Sequence, residues 1–250
     1  MSLKDNVVVI TGASKGIGHV AAKAFAKEGA LVVASARTVQ GPGSVEETVR
    51  EIKREGGQAI ALRCDVTVPA EVQSLIKNSV KAYGRIDVLI NNAGVTHWTS
   101  IADFTPEEWE GIFAINVHGV FYGCKYVLPV MTAQHSGSII NVSSSQAQKT
   151  TRNHLAYSSS KAAVDRFSIN LGHEVKEHGI AVHSYWPGHV VSAMSRRDAQ
   201  GNIVGGPDPT EAVLPSLLWL AQQDVSVVTG QILDRFTFGK TWGPGITTGA

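Results

Sequence analysis

Cysteine is nearly missing from this chain: Cys64 and Cys124 are the only two in 250 residues. Two thiols build no disulfide framework, and neither stands at metal-ligand spacing, so both are expected as small buried hydrophobes and no metal site is expected. Charge of one sign is missing as well. Lys+Arg 22 against Asp+Glu 21 gives a net charge of +1, and no Lys/Arg run breaks the balance. A surface built to neutralise nucleic-acid phosphates is therefore excluded. No apolar run reaches membrane-spanning length, and Met1-Ser2-Leu3-Lys4-Asp5 passes straight into an apolar segment with no signal-peptide core. A cytoplasmic protein without a membrane partner is the expectation. What is present, 43% hydrophobic and 17% charged residues, is the composition of an ordinary globular protein large enough for a full core.

The chain alternates two periodicities. Apolar runs at Val7 to Thr11, Leu31 to Ala36, Ala59 to Cys64, Ile86 to Ile90, Ser138 to Ser143, Ile180 to Trp186 and Gln231 to Phe236 predict strands. Between them, helical spacing predicts helices at about His19 to Glu28, Ser44 to Glu55, Pro69 to Tyr83, Pro106 to Met131, Tyr157 to His178 and Thr210 to Gln222. Such alternation predicts an α/β fold: a single-domain, doubly wound parallel sheet of the Rossmann type, with helices on both faces and ligands at the strands' carboxyl ends. No linker or repeat divides residues 1–250. The segment from His189 to Pro209, with its glycines and prolines, is expected to be a substrate lid.

After the first strand comes Thr11-Gly12-Ala13-Ser14-Lys15-Gly16-Ile17-Gly18, then an alanine-rich helix. Strand, glycine turn and helix are what a phosphate-binding loop needs: glycines let the backbone approach, and the helix N-terminus offers free N–H groups and a positive dipole end. Gly12, Ser14, Lys15, Gly16, Ile17 and Gly18 are the candidate contacts. The second strand ends in Ala36 and then Arg37, where a dinucleotide fold meets the adenosine ribose. No acid stands there to take a free 2′-OH. Arg37 and Lys15 suit a 2′-phosphate, and NADP(H) is expected over NAD(H), unless both cations are merely solvated.

Past the midpoint lie Ser143-Ser144-Ser145 and Tyr157-Ser158-Ser159-Ser160-Lys161. On a helix, Tyr157 and Lys161 share one face. A neighbouring ammonium favours the phenolate, so Lys161 is expected to lower the pKa of Tyr157 and make it an acid/base, while Ser144 holds a substrate oxygen. Alone, a Tyr-x-x-x-Lys pair is as readily ordinary helix surface.

Thr11 to Gly18, Asn91 to Gly94, Asn116, Ser144, Tyr157-x3-Lys161 and Pro187-Gly188 together resemble, in order and spacing, the single-domain short-chain dehydrogenases/reductases. The resemblance spans nearly the whole chain and implies an NAD(P)(H)-dependent carbonyl reductase or alcohol dehydrogenase acting on a small molecule, usually as a homo-oligomer, tetramer or dimer. It implies Tyr157 as acid/base, Lys161 on the nicotinamide ribose, Ser144 beside the substrate, and Asn116 holding a water that links Lys161 to solvent. Asp65 and Val66 would border the adenine, Asn92, Ala93 and Gly94 the adenosine side, and Pro187, Gly188, Val190 and Ser192 the nicotinamide. Gln146, His154, His189 and Trp98 are expected around a substrate pocket favouring a polar or acyl-bearing ketone. A 3-oxoacyl thioester, a sugar and a steroid stay open as substrates, as does a non-catalytic dinucleotide sensor. One departure is Asp234-Arg235-Phe236, where many relatives have Asp-Gly-Gly.

Overall fold

The computed structural model describes residues 3–192, 194, 195, 200, 201, 203 and 206–246. Among them, seven strands form one parallel sheet in the order β3-β2-β1-β4-β5-β6-β7. They are β1 (Val7–Thr11), β2 (Leu31–Ala36), β3 (Gln58–Arg63), β4 (Val88–Asn91), β5 (Gly137–Val142), β6 (Ile180–Trp186) and β7 (Gln231–Asp234). The crossovers carry α1 (Gly16–Lys27), α2 (Val45–Arg54), α3 (Pro69–Tyr83), α4 (Pro106–Phe113), α5 (Gly119–Gln134), α6 (Leu155–Val175) and α7 (Leu214–Leu220). Local chemistry sets several boundaries. Ser44 caps α2 by accepting from Glu47 N, Thr105 and Glu108 form a reciprocal capping box on α4, and α3 runs from Pro69 to a left-handed Gly84.

Both faces of the sheet are covered, which is why the strands read as unbroken apolar runs. Val8 and Ile10 of β1 join Phe25 of α1, Ile52 of α2 and Leu217 of α7 in one core. Val7 and Val9 point the other way, to Leu75 of α3, Met131 of α5 and Val164 of α6. The chain runs outward from β1 to β2 and β3, then returns to pair β4 on the other edge of β1. That reversal opens a crevice at the carboxyl ends of β1 and β4.

Apart from shifts of a few residues at other ends, the expected elements differ from the observed ones in three places. The helix expected from Pro106 to Met131 is α4 and α5 joined by a π-helical turn, Ala114–His118, centred on Asn116. The last helix begins as a 3-10 turn, Thr210–Val213, and ends at Leu220. The final strand stops at Asp234 because its carboxylate accepts from Phe236 N and starts a 3-10 turn, Arg235–Thr237. Of the expected lid, residues 193, 196–199, 202, 204 and 205 lie outside the described residues. No helix among the described residues is long and apolar enough to cross a membrane.

Cys64 and Cys124 are buried, and burial pushes both thiols up to about 12, so neither is a nucleophile. Cys124 borders a polar seam through the core: Asn91 Nδ2 donates to Asn141 Oδ1 at 2.8 Å, and Asn141 Nδ2 to Ser168 Oγ at 2.9 Å. Gly123 leaves room for that seam, since a Cβ there would stand 2.2 Å from Asn91 Oδ1. Gly123→Ala should therefore overpack the core and break the Asn91 bond, costing about 1–3 kcal/mol. A urea titration with an unchanged midpoint would contradict this role of the seam.

Candidate active site

At the carboxyl ends of β1 to β4 lies a cleft of about 380 Å3. The glycine turn forms one wall. Gly12 is in the left-handed region at φ 66, and a Cβ on it would meet the Ala93 backbone at 2.9 Å. Gly18 lies behind the wall: a Cβ there would stand 2.4 Å from Gly12 O, so only glycine lets α1 pack against the turn. α1 opens at Gly16 with no side-chain cap and no acid in its first turn. Its first N–H groups and positive end are thus directed at the cleft, the arrangement that receives a phosphate.

The opposite wall is the segment after β4, stitched to the turn across the switch point. Thr11 Oγ1 accepts from Asn92 N at 3.0 Å and Ala93 N at 3.1 Å, while Asn92 Nδ2 donates to Thr11 O and Gly12 O. Asn92 therefore presents its backbone to the cleft and spends its side chain on the loop. At the end of the cleft beyond β2 and β3, Arg37 and Thr38 follow β2, and Asp65 and Val66 follow β3. Burial would raise the Asp65 carboxyl, but hydrogen bonds from Thr67 N and Oγ1 and the nearby Arg37 hold it below the usual value.

The tyrosine and lysine lie one turn apart on α6, 9% and 4% exposed. Lys161 Nζ donates to Val142 O at 2.8 Å and stands 5.7 Å from the centre of the Tyr157 ring. Burial lowers its pKa to about 8, against a smaller upward pull from Asp165, the next residue but three on the same helix. Tyr157 departs from the sequence expectation: burial raises its pKa above 10.0, and the counteracting influence comes from the Ser144 hydroxyl rather than from Lys161. Desolvation of the phenolate wins because the ammonium is itself buried and directed at Val142 O. Ser144 Oγ accepts from Gln146 N at 3.2 Å, which leaves its O–H free to point at the phenol or at a substrate.

Asn116 is also committed. From the π-turn its Oδ1 accepts from Val95 N, and its Nδ2 donates to Val95 O and Ser160 Oγ. The widened turn brings this amide to the loop after β4 and ties that loop to α6. Gly94 joins the two halves of the site: a Cβ on it would lie 3.4 Å from Asn116 Oδ1 and 3.7 Å from Lys161 Nζ. The cleft floor thus meets the catalytic-type cluster at a residue without a side chain.

Among the candidate cofactor residues, Gly12, Ser14, Lys15, Gly16, Ile17 and Arg37 line the cleft. So do Asp65, Val66, Asn92, Ala93, Gly94 and Ser192. Pro187, Gly188 and Val190 belong to the exit of β6 and are not part of its lining. The pocket residues behave differently from expectation. His154 is buried in a stack, 3.8 Å from Trp98 and 4.6 Å from Tyr157 between ring centres, with Nε2 2.7 Å from Thr96 Oγ1. Burial lowers its pKa to about 4, so it is a neutral spacer on the tyrosine and contributes no cation to the pocket. Gln146 Oε1 accepts from Thr151 Oγ1, and His189 is exposed. Thr38, Val95, Thr96, Ile115 and Met194 also line the cleft. No sequence motif marked them, although Thr38 and Thr96 follow strand ends already identified as ligand-facing.

The residues fit a dinucleotide: glycines where a Cβ would fill the cradle, an uncapped helix start, and two cations, Lys15 and Arg37, in the lining. The comparisons agree. A family model described as short chain dehydrogenase matches residues 6–202. A 3-oxoacyl-[acyl-carrier-protein] reductase from Synechocystis sp. is 36% identical over 194 residues, covering 78% of each chain. One from Thermotoga maritima is 32% identical, covering 93% of this chain and 97% of its own. A short-chain type dehydrogenase/reductase from Mycobacterium marinum superposes with a TM-score of 0.82 at 28% identity, over 93% of this chain and 94% of its own. A protein from Beutenbergia cavernae, provisionally named an NAD(P) dependent gluconate 5-dehydrogenase and solved with NADP at low occupancy, gives 0.82 at 29% identity, covering 94% and 96%.

The lysine gives a stability test with a definite sign. Folded Lys161 releases its proton near about 8, whereas the ordinary value is 10.5. Between these pH values the unfolded chain binds more protons, so stability from this group rises with pH across that window. The penalty is fully present below about pH 8 and is lifted as pH climbs through 10.5. In urea titrations the wild type should gain stability relative to Lys161→Met between pH 8 and 10; a constant difference would show that the ammonium is not desolvated.

Proposed function

Since the chain belongs to the short chain dehydrogenases, a family of NAD(P)-using oxidoreductases, we propose that it is an NADP(H)-dependent enzyme that interconverts a ketone or aldehyde and an alcohol by hydride transfer, with Tyr157 as general acid/base. The observation that carries this reading is the cluster of Tyr157, Ser144 and Lys161, which borders the cleft where a Cβ on Gly94 would lie 3.7 Å from Lys161 Nζ.

Lys15, Gly16 and Ile17 would hold the pyrophosphate, Asp65 and Val66 the adenine, and Arg37 with Lys15 the 2′-phosphate; Ser192, Val190 and Pro187-Gly188 would border the nicotinamide. Bound there, NADPH supplies the hydride. Tyr157, a protonated phenol at neutral pH, donates its proton to the carbonyl oxygen as charge develops there. Ser144, its oxygen already accepting from Gln146 N, donates its O–H to that same oxygen. Lys161, 5.7 Å from the centre of the phenol ring, would meet the nicotinamide ribose, and Asn116 keeps the Gly94 loop against α6.

The names of the two 3-oxoacyl-carrier reductases support a 3-oxoacyl thioester as the substrate, a refinement of the same chemistry. Assembly as a homo-oligomer belongs to this reading.

Two experiments test the reading. In NADPH-consumption assays against ketones, aldehydes and 3-oxoacyl thioesters, Tyr157→Phe should lower kcat by about 10²–10⁴-fold while still binding NADPH. NADPH binding with no turnover by the wild type in either direction would favour a dinucleotide sensor instead. Arg37→Ala should weaken NADPH binding by about 10- to 100-fold and leave NADH binding unchanged. Equal wild-type affinities, or no loss in the variant, would overturn the NADP preference.

A further inference from the structure

Arg235 occupies the 3-10 turn after β7, where the family resemblance leads one to expect glycine. Its side chain is only 12% exposed, and its guanidinium is held on two sides and over one face. Nε donates to Pro187 O at 2.6 Å, Nη2 pairs with the Asp208 carboxylate, and the guanidinium covers the Phe236 ring with its central carbon 4.5 Å from the ring centre. Gly188 lies directly beneath, in the left-handed region at φ 76. A Cβ there would stand 2.8 Å from both Arg235 Nη2 and Phe236 Cε2.

These contacts join two stretches that are distant in sequence. Pro187 begins the outgoing stem of the loop after β6, and Asp208 ends its returning stem. Asp208 N donates to His189 O at 2.9 Å, Val191 N to Asp208 O at 3.0 Å, and Thr210 Oγ1 to Val191 O at 2.6 Å. The backbone bonds make a small parallel bridge between Val190 and Asp208, and Arg235 crosses it from below. A planar fork with a fixed charge suits this task, because it reaches a carbonyl on one stem and a carboxylate on the other at the same time. The outgoing stem leads to Ser192, which lines the cleft.

We propose that Arg235 is a positioning residue for the nicotinamide end of the cleft, holding the stem from Pro187 to Ser192 at the level where it meets the dinucleotide. The inference rests on the cofactor reading above. It does not involve the adenosine end, whose residues follow β2 and β3 on the far side of the sheet's switch point.

That separation supplies the test. Dissociation constants would be measured with the full-length protein for NADPH beside 2′-phospho-ADP-ribose, and for NADH beside ADP-ribose, each pair differing by the nicotinamide. Arg235→Gln should weaken the dinucleotide that the wild type binds by about tenfold, while its nicotinamide-free counterpart changes by less than about twofold. Asp208→Asn removes the charge from the more exposed end of the pair, 44% exposed, and should show a smaller loss of the same kind even if Arg235→Gln fails to fold. Equal losses on both members of a pair, or no loss on the dinucleotide, would overturn the inference and leave the functional reading intact. A wild type that binds none of the four ligands would overturn both.

Discussion

A buried ammonium is the constraint around which this site is built. Lys161 lies on the long helix α6 with its amine against a strand carbonyl, and the fall of its pKa from 10.5 to about 8 corresponds to a cost of about 3 kcal/mol at neutral pH. Nothing in the packing of α6 requires a cation there, since Val164 and Leu171 secure the same helix to the core. The Asp165 carboxylate offsets part of the cost, but it also accepts from Ser184 Oγ and Trp186 Nε1 and so belongs as much to β6. Natural sequences retain such penalties where chemistry needs them.

The surroundings of Lys161 follow from the topology. Parallel strands deliver their carboxyl ends to one edge of the sheet, and the reversal between β1 and β4 leaves that edge open at its middle. β5 brings Ser144 to this edge, β4 brings Gly94, and α6 returns Tyr157 and Lys161 beneath them. The amide of Asn92 closes the gap between β1 and β4, and the amide of Asn116 ties the β4 loop to α6. Each of these polar side chains joins elements far apart in sequence, so the site is rigid where it contacts the dinucleotide cleft. The Trp98-His154-Tyr157 stack extends that rigidity to the phenol ring.

Most of the fold was legible in the sequence, because buried parallel strands and glycine-ended helices leave strong local signals. The glycine turn, Arg37 after β2 and the Tyr157–Lys161 spacing were legible for the same reason. What escaped were features set by contacts across the chain. The π-turn sets the Asn116 amide on Val95, and Thr96, besides lining the cleft, meets His154 at the start of α6. The pKa of Tyr157 went in the unexpected direction because sequence spacing reveals a neighbouring charge but not the loss of water around it. Arg235 read as a departure from a family pattern, and its partners became visible only when Pro187 and Asp208 met in space.

The central claim is hydride transfer from the cleft to a carbonyl held beside Tyr157. Its most direct measurement is the fate of the label when the protein reduces a 3-oxoacyl thioester with NADPH dideuterated at nicotinamide C4. The account predicts a 3-hydroxyacyl product carrying a single deuterium on its carbinol carbon, identified by mass spectrometry. A hydroxyacyl product formed without deuterium at that carbon would contradict it.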